Sequence, residues 1–134
     1  MEYYKGIPYA APPVDDLRWR PPQPAKKWQE PFEAYSYGDI PMQNRSKPGT
    51  FYHDEFHLYD WPMSEDCLTI DVITPAQNDN EKLPVAVWIY GGGFATGYSH
   101  TVAYGGEAFA KRGIVYVSFN YRINLFGFFA NELL

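Results

Sequence analysis

A single cysteine, Cys67, stands among the 134 residues, so no disulfide can close within the chain and packing alone must hold it together. Long apolar runs are missing too. The longest, Leu83 to Ile89, contains Pro84 and is the size of a strand, far short of the roughly 20 residues a helix needs to cross a bilayer. Met1-Glu2-Tyr3-Tyr4-Lys5 lacks the basic stretch and apolar run of a secretory leader. Positive charge is the scarcer sign: 11 Lys and Arg against 16 Asp and Glu give a net charge of -5. Such a surface repels phosphate backbones and argues against a nucleic-acid partner. What is abundant is aromatic and proline, with 12 tyrosines and 12 prolines. Two arrangements use that combination, a stacking surface of the kind found in carbohydrate-binding modules and the irregular margin of a larger enzyme core.

The length suits one ordinary domain, but the pattern along it is uneven. Pro8, Pro12, Pro13, Pro21, Pro22, Pro24, Pro31, Pro41 and Pro48 block helices and restrict the residues before them. Residues 1–63 are therefore expected to be extended chain and turns, packed on a neighbouring scaffold. From Cys67 onward Leu68, Ile70 and Val72 alternate with Thr69, Asp71 and Ile73, which predicts a strand with one face more buried than the other. Asn78-Asp79-Asn80 reads as a turn. Leu83–Tyr90 is β-branched and aromatic almost throughout, as in a central strand covered on both faces. A helix is predicted over Ala103–Arg112, weakened by Gly105-Gly106 and closed at Gly113, followed by a strand over Ile114–Asn120. Strand, glycine loop, helix and strand make a βαβ unit of a parallel α/β sheet, here over residues 64–134.

The chemistry-bearing feature is Gly91-Gly92-Gly93-Phe94, directly after a strand and before a helix. Without Cβ atoms the backbone reaches otherwise closed φ values, and a ligand atom can approach the amides. A dinucleotide site needs G-x-G-x-x-G, and Phe94-Ala95-Thr96 breaks that spacing. An oxyanion hole of α/β-hydrolase type needs glycines in this connection, and a merely tight turn is the plain alternative. Gly97-Tyr98-Ser99-His100-Thr101 imitates a nucleophile elbow but lacks its final glycine and follows a loop, so Ser99 reads as a decoy. His53 and His57 are spaced i, i+4, yet the glutamate sits in the wrong slot for a zinc helix and no third ligand is evident; no metal is expected.

Gly6-Ile7-Pro8-Tyr9-Ala10 with Pro12-Pro13, Arg18-Trp19 with Pro21-Pro22, Ser64-Glu65-Asp66-Cys67-Leu68, Val87 through Phe94, and Asn120-Tyr121-Arg122 with Phe126-Gly127-Phe128 occur in one order. In that order they resemble the type-B carboxylesterase and cholinesterase family of serine hydrolases. The resemblance spans nearly the whole chain and implies a partial α/β-hydrolase sheet, the amino-terminal part of one domain incomplete at both ends. Gly92 and Gly93 would then supply two oxyanion donors, and Tyr90, Gly91 and Phe94 would line the pocket. Arg18 and Glu65 match a buried structural ion pair of the family, whose loss is expected to destabilise strongly. Arg122 matches a residue paired with an acid absent from this chain.

The family's Ser, acid and His have no counterpart here, so the chain alone is expected to be inactive, while the complete protein would hydrolyse small-molecule carboxylic esters without a cofactor. The family's secreted animal members bridge a cysteine at the position of Pro41 to the one at Cys67, so Cys67 is expected to be a free, buried thiol, which favours a bacterial or intracellular relative. A non-catalytic adhesion or scaffold protein of the same fold is the alternative, ahead of an aromatic-rich carbohydrate-binding module. With its sheet incomplete, the chain is expected to associate with itself or with the remainder of its parent rather than persist as a stable monomer.

Overall fold

A computed structural model describes residues 1–56 and 58–132 of the chain. Its main sheet has the strand order β1-β4-β6-β5, made of β1 (Glu2–Pro8), β4 (Thr69–Thr74), β6 (Val115–Phe119) and β5 (Val85–Trp88). The short strands β2 (Ile40–Pro41) and β3 (Met63–Ser64) pair in parallel beside it. Strands β1/β4 and β4/β6 run antiparallel, and β5/β6 parallel. The sheet is therefore mixed, and its parallel pair is the predicted βαβ unit.

Helices are few and short. They are α1 (Phe51–Glu55), α2 (Glu107–Ala110) and α3 (Asn124–Phe128), with single 3-10 turns at Asp15–Leu17 and Val102–Tyr104. The helix expected over Ala103–Arg112 is thus cut to α2 and a 3-10 turn, and Gly106 supplies the reason. A Cβ there would stand 2.1 Å from the Tyr116 ring, so the chain gives up a turn of helix to bring its backbone against β6. Among the described residues no helix is long and apolar enough to cross a membrane.

Three expectations need correction. The proline-rich first half opens with β1, seven residues and the longest strand, which no hydrophobic alternation announces. It pairs with β4 through a break in register between Tyr4 and Ile7, where Gly6 takes φ +65° and donates its amide to Asp71 at 2.8 Å. Strand β5 is not central but lies at the edge of this sheet, with Val85 and Val87 59% and 58% exposed. Its apolar character is real, but one face has no cover among the described residues. The deeply buried side chains of β4 are the polar Thr69 and Asp71, while Ile70 and Val72 are half-buried.

The Asp71 side chain and the Thr69 backbone belong to a network that joins the two halves of the chain. Asn120, fully buried at the end of β6, donates its backbone amide to the Thr69 carbonyl at 2.8 Å. Its side-chain oxygen accepts from the Ser99 amide at 2.8 Å, and its nitrogen reaches the Asp39 carbonyl at 3.3 Å. Its own carbonyl accepts from the Tyr9 hydroxyl at 2.6 Å. Buried amides are tolerated when satisfied in this way, and this one ties the amino-terminal region to the segment that carries the glycine loop.

Candidate active site

The glycine loop leaves β5 and folds back on itself. The Gly92 carbonyl accepts from the amides of Ala95 and Thr96, both at 3.1 Å. Gly92, Gly93 and Phe94 have φ of +138°, +60° and +64°, a left-handed run that glycine adopts cheaply and other residues at a cost. A Cβ on Gly92 would fall 1.9 Å from the Thr96 carbonyl oxygen, whereas one on Gly93 would meet nothing within 4 Å. The Gly92 carbonyl is thus engaged within the loop, while among the described residues the amides of Gly92 and Gly93 donate to no protein acceptor. Two N–H groups remain without a protein acceptor on a turn held by its own carbonyl, the kind of backbone arrangement that can receive an anion.

Two devices anchor the ends of this loop. Tyr90 is buried and stacks on Tyr121, ring centroids 4.3 Å apart and 14° from parallel. The Tyr90 hydroxyl donates to the Tyr121 carbonyl at 3.0 Å, and the Tyr121 hydroxyl donates back to the Tyr90 carbonyl. Burial pushes the Tyr90 phenol well above its usual range, so it acts as a neutral donor. At the far end Gly97 is gripped by the side chain of Gln43. A groove of about 810 Å³ is lined by Tyr90, Gly91, Gly92 and Gly93 together with Gln43, Tyr52 and Phe56.

Of the expected pocket residues, Tyr90 and Gly91–Gly93 come together on this groove. Phe94 does not join them: it is 67% exposed, leans on Phe128 at 4.5 Å, and its carbonyl accepts from the Asn124 amide at 2.6 Å. Ser99 is buried, and its hydroxyl donates to Asp71 at 2.6 Å. His100 Nδ1 stands 3.4 Å from the Ser99 oxygen. A Ser, an Asp and a His do meet here, but the serine proton points at the carboxylate, and burial holds that carboxyl above its usual range and the imidazole down to about 4. That arrangement is a closed structural network and not an activated nucleophile.

Arg18 forms a bidentate pair with Glu65, Nε to Oε2 at 2.5 Å and Nη2 to Oε1 at 2.7 Å. Hydrogen bonding to Glu65 raises the already high Arg18 pKa. The two side chains are 36% and 23% exposed, so solvent screens the pair and the expected penalty for breaking it shrinks. Glu65→Gln is expected to lower the urea midpoint of the complete enzyme measurably but modestly. An effect as large as that of emptying a core position would mean that the pair is desolvated.

Arg122 donates to the Arg20 carbonyl at 2.9 Å and has no carboxylate partner among the described residues. Cys67 is a free, buried thiol pushed up to about 12 by desolvation, on the same crevice as Pro41. His53 contacts Asp54 at 2.6 Å; His57 lies outside the described residues. No cluster of three metal-ligating side chains forms among the described residues. Sequence reasoning missed Gln43, Tyr121 and Asn120 as supports of the loop, because each acts on residues distant in the chain.

Residues 1–133 match the model of the carboxylesterase family. The chain is 39% identical over 135 residues to fumonisin B1 esterase of Sphingopyxis macrogoltabida, a match that covers 100% of this chain and 24% of that protein. It is 42% identical over 130 residues to acetylcholinesterase of Electrophorus electricus, covering 95% of this chain and 20% of the relative. Phenmedipham hydrolase of Pseudarthrobacter oxydans is 40% identical over 131 residues, with coverage of 95% and 25%. The chain thus spans between a fifth and a quarter of the length of these relatives.

Proposed function

This chain belongs to the carboxylesterase family, and from that premise we propose that it is the part of a serine carboxylesterase that stabilises the oxyanion. The observation carrying this reading is the unspent pair of amides at Gly92 and Gly93 on the rim of the groove. In the complete enzyme a serine hydroxyl, supplied from outside this segment, attacks the ester carbonyl carbon as a base takes its proton. The C=O π pair moves onto oxygen, and the two amides donate to the resulting O⁻. Collapse re-forms the C=O bond and expels the alkoxide, which takes the proton; water then repeats the sequence on the acyl-serine and releases the acid.

Donors held in place before reaction cost no reorganisation as charge develops, and the rigid Gly92 turn and the Tyr90–Tyr121 clamp suit that task. The substrate is a small-molecule carboxylic ester, and the other partner of this segment is the remainder of its parent chain. None of the 134 residues forms a G-x-S-x-G elbow, so the segment alone has no nucleophile to present.

Labelling with a fluorophosphonate separates the possibilities. The 134-residue chain is expected to take up no stoichiometric label, and the complete enzyme to take up one, on a serine outside residues 1–134. Specific labelling of Ser99 would overturn the assignment.

A further inference from the structure

Gln43 lies two residues beyond β2, in the irregular half of the chain, yet its amide group closes both backbone valences of Gly97. The Gly97 amide donates to Gln43 Oε1 at 2.8 Å, and Gln43 Nε2 donates to the Gly97 carbonyl at 2.9 Å. The second Nε2 hydrogen goes to the Pro41 carbonyl at 3.1 Å. One side chain thereby reproduces a two-bond strand pairing across 54 positions of sequence and fixes the donor orientation at the same time, since only an amide offers an acceptor and two donors in one plane.

What Gln43 grips is the closing residue of the glycine loop. Gly97 has φ +118°, and its backbone lies so close to the start of the loop that a Cβ would stand 2.5 Å from the Tyr90 ring and 2.7 Å from the Gly91 carbonyl oxygen. The Gly92 carbonyl in turn holds Thr96, the residue before Gly97. Displacing Gly97 therefore moves Thr96, and with it the carbonyl bond that orients the Gly92–Gly93 peptide. Gln43 also lines the groove onto which those glycines open.

We infer that Gln43 is the positioning residue of the oxyanion loop: it touches no reacting atom and sets the aim of the Gly92 and Gly93 amides through its two bonds to Gly97. The inference rests on the esterase reading above.

The test uses the complete enzyme with Gln43→Glu and Gln43→Leu, beside Gly92→Ala. In Gln43→Glu an ionised carboxylate keeps the bond from the Gly97 amide and loses both donors; a protonated carboxyl regains one donor. Relative to wild type at the same pH, Gln43→Glu should lose about ten- to hundredfold in kcat above neutrality with KM within about twofold. Part of that loss should return as the pH falls toward 5. Gln43→Leu should show the loss at every pH and faster hydrogen exchange at the amides of residues 95–97.

A Gln43→Glu deficit that does not vary with pH, or a kcat unchanged while Gly92→Ala is impaired, would overturn the positioning role and leave the oxyanion reading intact. If Gly92→Ala retains full activity, the oxyanion reading fails, and exchange alone decides on the grip: faster exchange in Gln43→Leu supports it, and unchanged exchange overturns it.

Discussion

Gly92→Ala in the complete esterase should lose about 10²–10³ in kcat, the range typical of removing one oxyanion donor, with KM changed far less. The substitution leaves the amide chemically intact, so the loss comes from geometry. At φ +138° an added Cβ meets the Thr96 carbonyl oxygen at 1.9 Å, a distance no packing tolerates, and the turn must open. Opening it breaks the bonds from Ala95 and Thr96 to the Gly92 carbonyl and swings the donor pair away from the place where charge develops. Gly93→Ala is the informative companion, because its Cβ enters open space and only the left-handed backbone opposes it, at roughly 1–2 kcal/mol. It should lose less than Gly92→Ala. The two kinetic profiles would be compared on one ester, and equal losses would mean that the Thr96 clash is not the cause.

The second large effect concerns acid. His100 sits in an aromatic box, stacked on Tyr37 at 4.3 Å, edge-on to Trp61 at 4.8 Å and against Tyr98 at 4.8 Å. Its Nε2 is buried without a partner among the described residues, and Lys5 lies over the Tyr37 ring at 4.5 Å. Burial, with a smaller push from Lys5, lowers the imidazole pKa from 6.5 to about 4. Between those values the unfolded chain binds a proton that the folded chain refuses, so stability present above pH 6.5 is lost as the pH falls toward 4. A shift of this size corresponds to roughly 3 kcal/mol.

Asp71 works the other way. Burial raises its pKa despite the bonds from Ser99 and Gly6, so its ionisation weakens the fold as the pH rises above 3.8, and the net acid effect is smaller than the histidine's alone. Urea unfolding of the complete enzyme followed by tryptophan fluorescence at pH 7.5 and 4.5 should show a clear fall in midpoint for the wild type and a flatter response for His100→Phe. Equal falls in both proteins would remove His100 from the account.

What could be read from the residues was local. The glycine loop, its place between a strand and a helix, and the parallel β5–β6 pair all follow from neighbouring letters, because glycine runs and β-branched runs act within a few positions. Strand β1 escaped notice because Glu2-Tyr3-Tyr4-Lys5 carries no apolar stripe; its order comes from backbone pairing with β4, 65 residues away at the Gly6–Asp71 bond.

The burial of β4 was hidden for a related reason: Ser99 and Gly6 arrive from elsewhere to donate to the Asp71 carboxylate and Asn120 to the Thr69 carbonyl, while the Thr69 hydroxyl is buried with no partner among the described residues. Gln43 looks like any surface glutamine until Gly97 is placed opposite it. The exposed face of β5 was legible as apolar but not as uncovered, since periodicity reports which side chains prefer burial and not which element supplies it.

The central claim, that Gly92 and Gly93 receive the oxyanion, is tested most directly by the structure of the complete enzyme after reaction with a fluorophosphonate. The phosphoryl oxygen stands where the tetrahedral intermediate carries its charge, and it is expected about 2.7–3.1 Å from both the Gly92 and Gly93 nitrogens. An oxygen held by other donors, with these two amides facing solvent or a protein carbonyl, would contradict the claim.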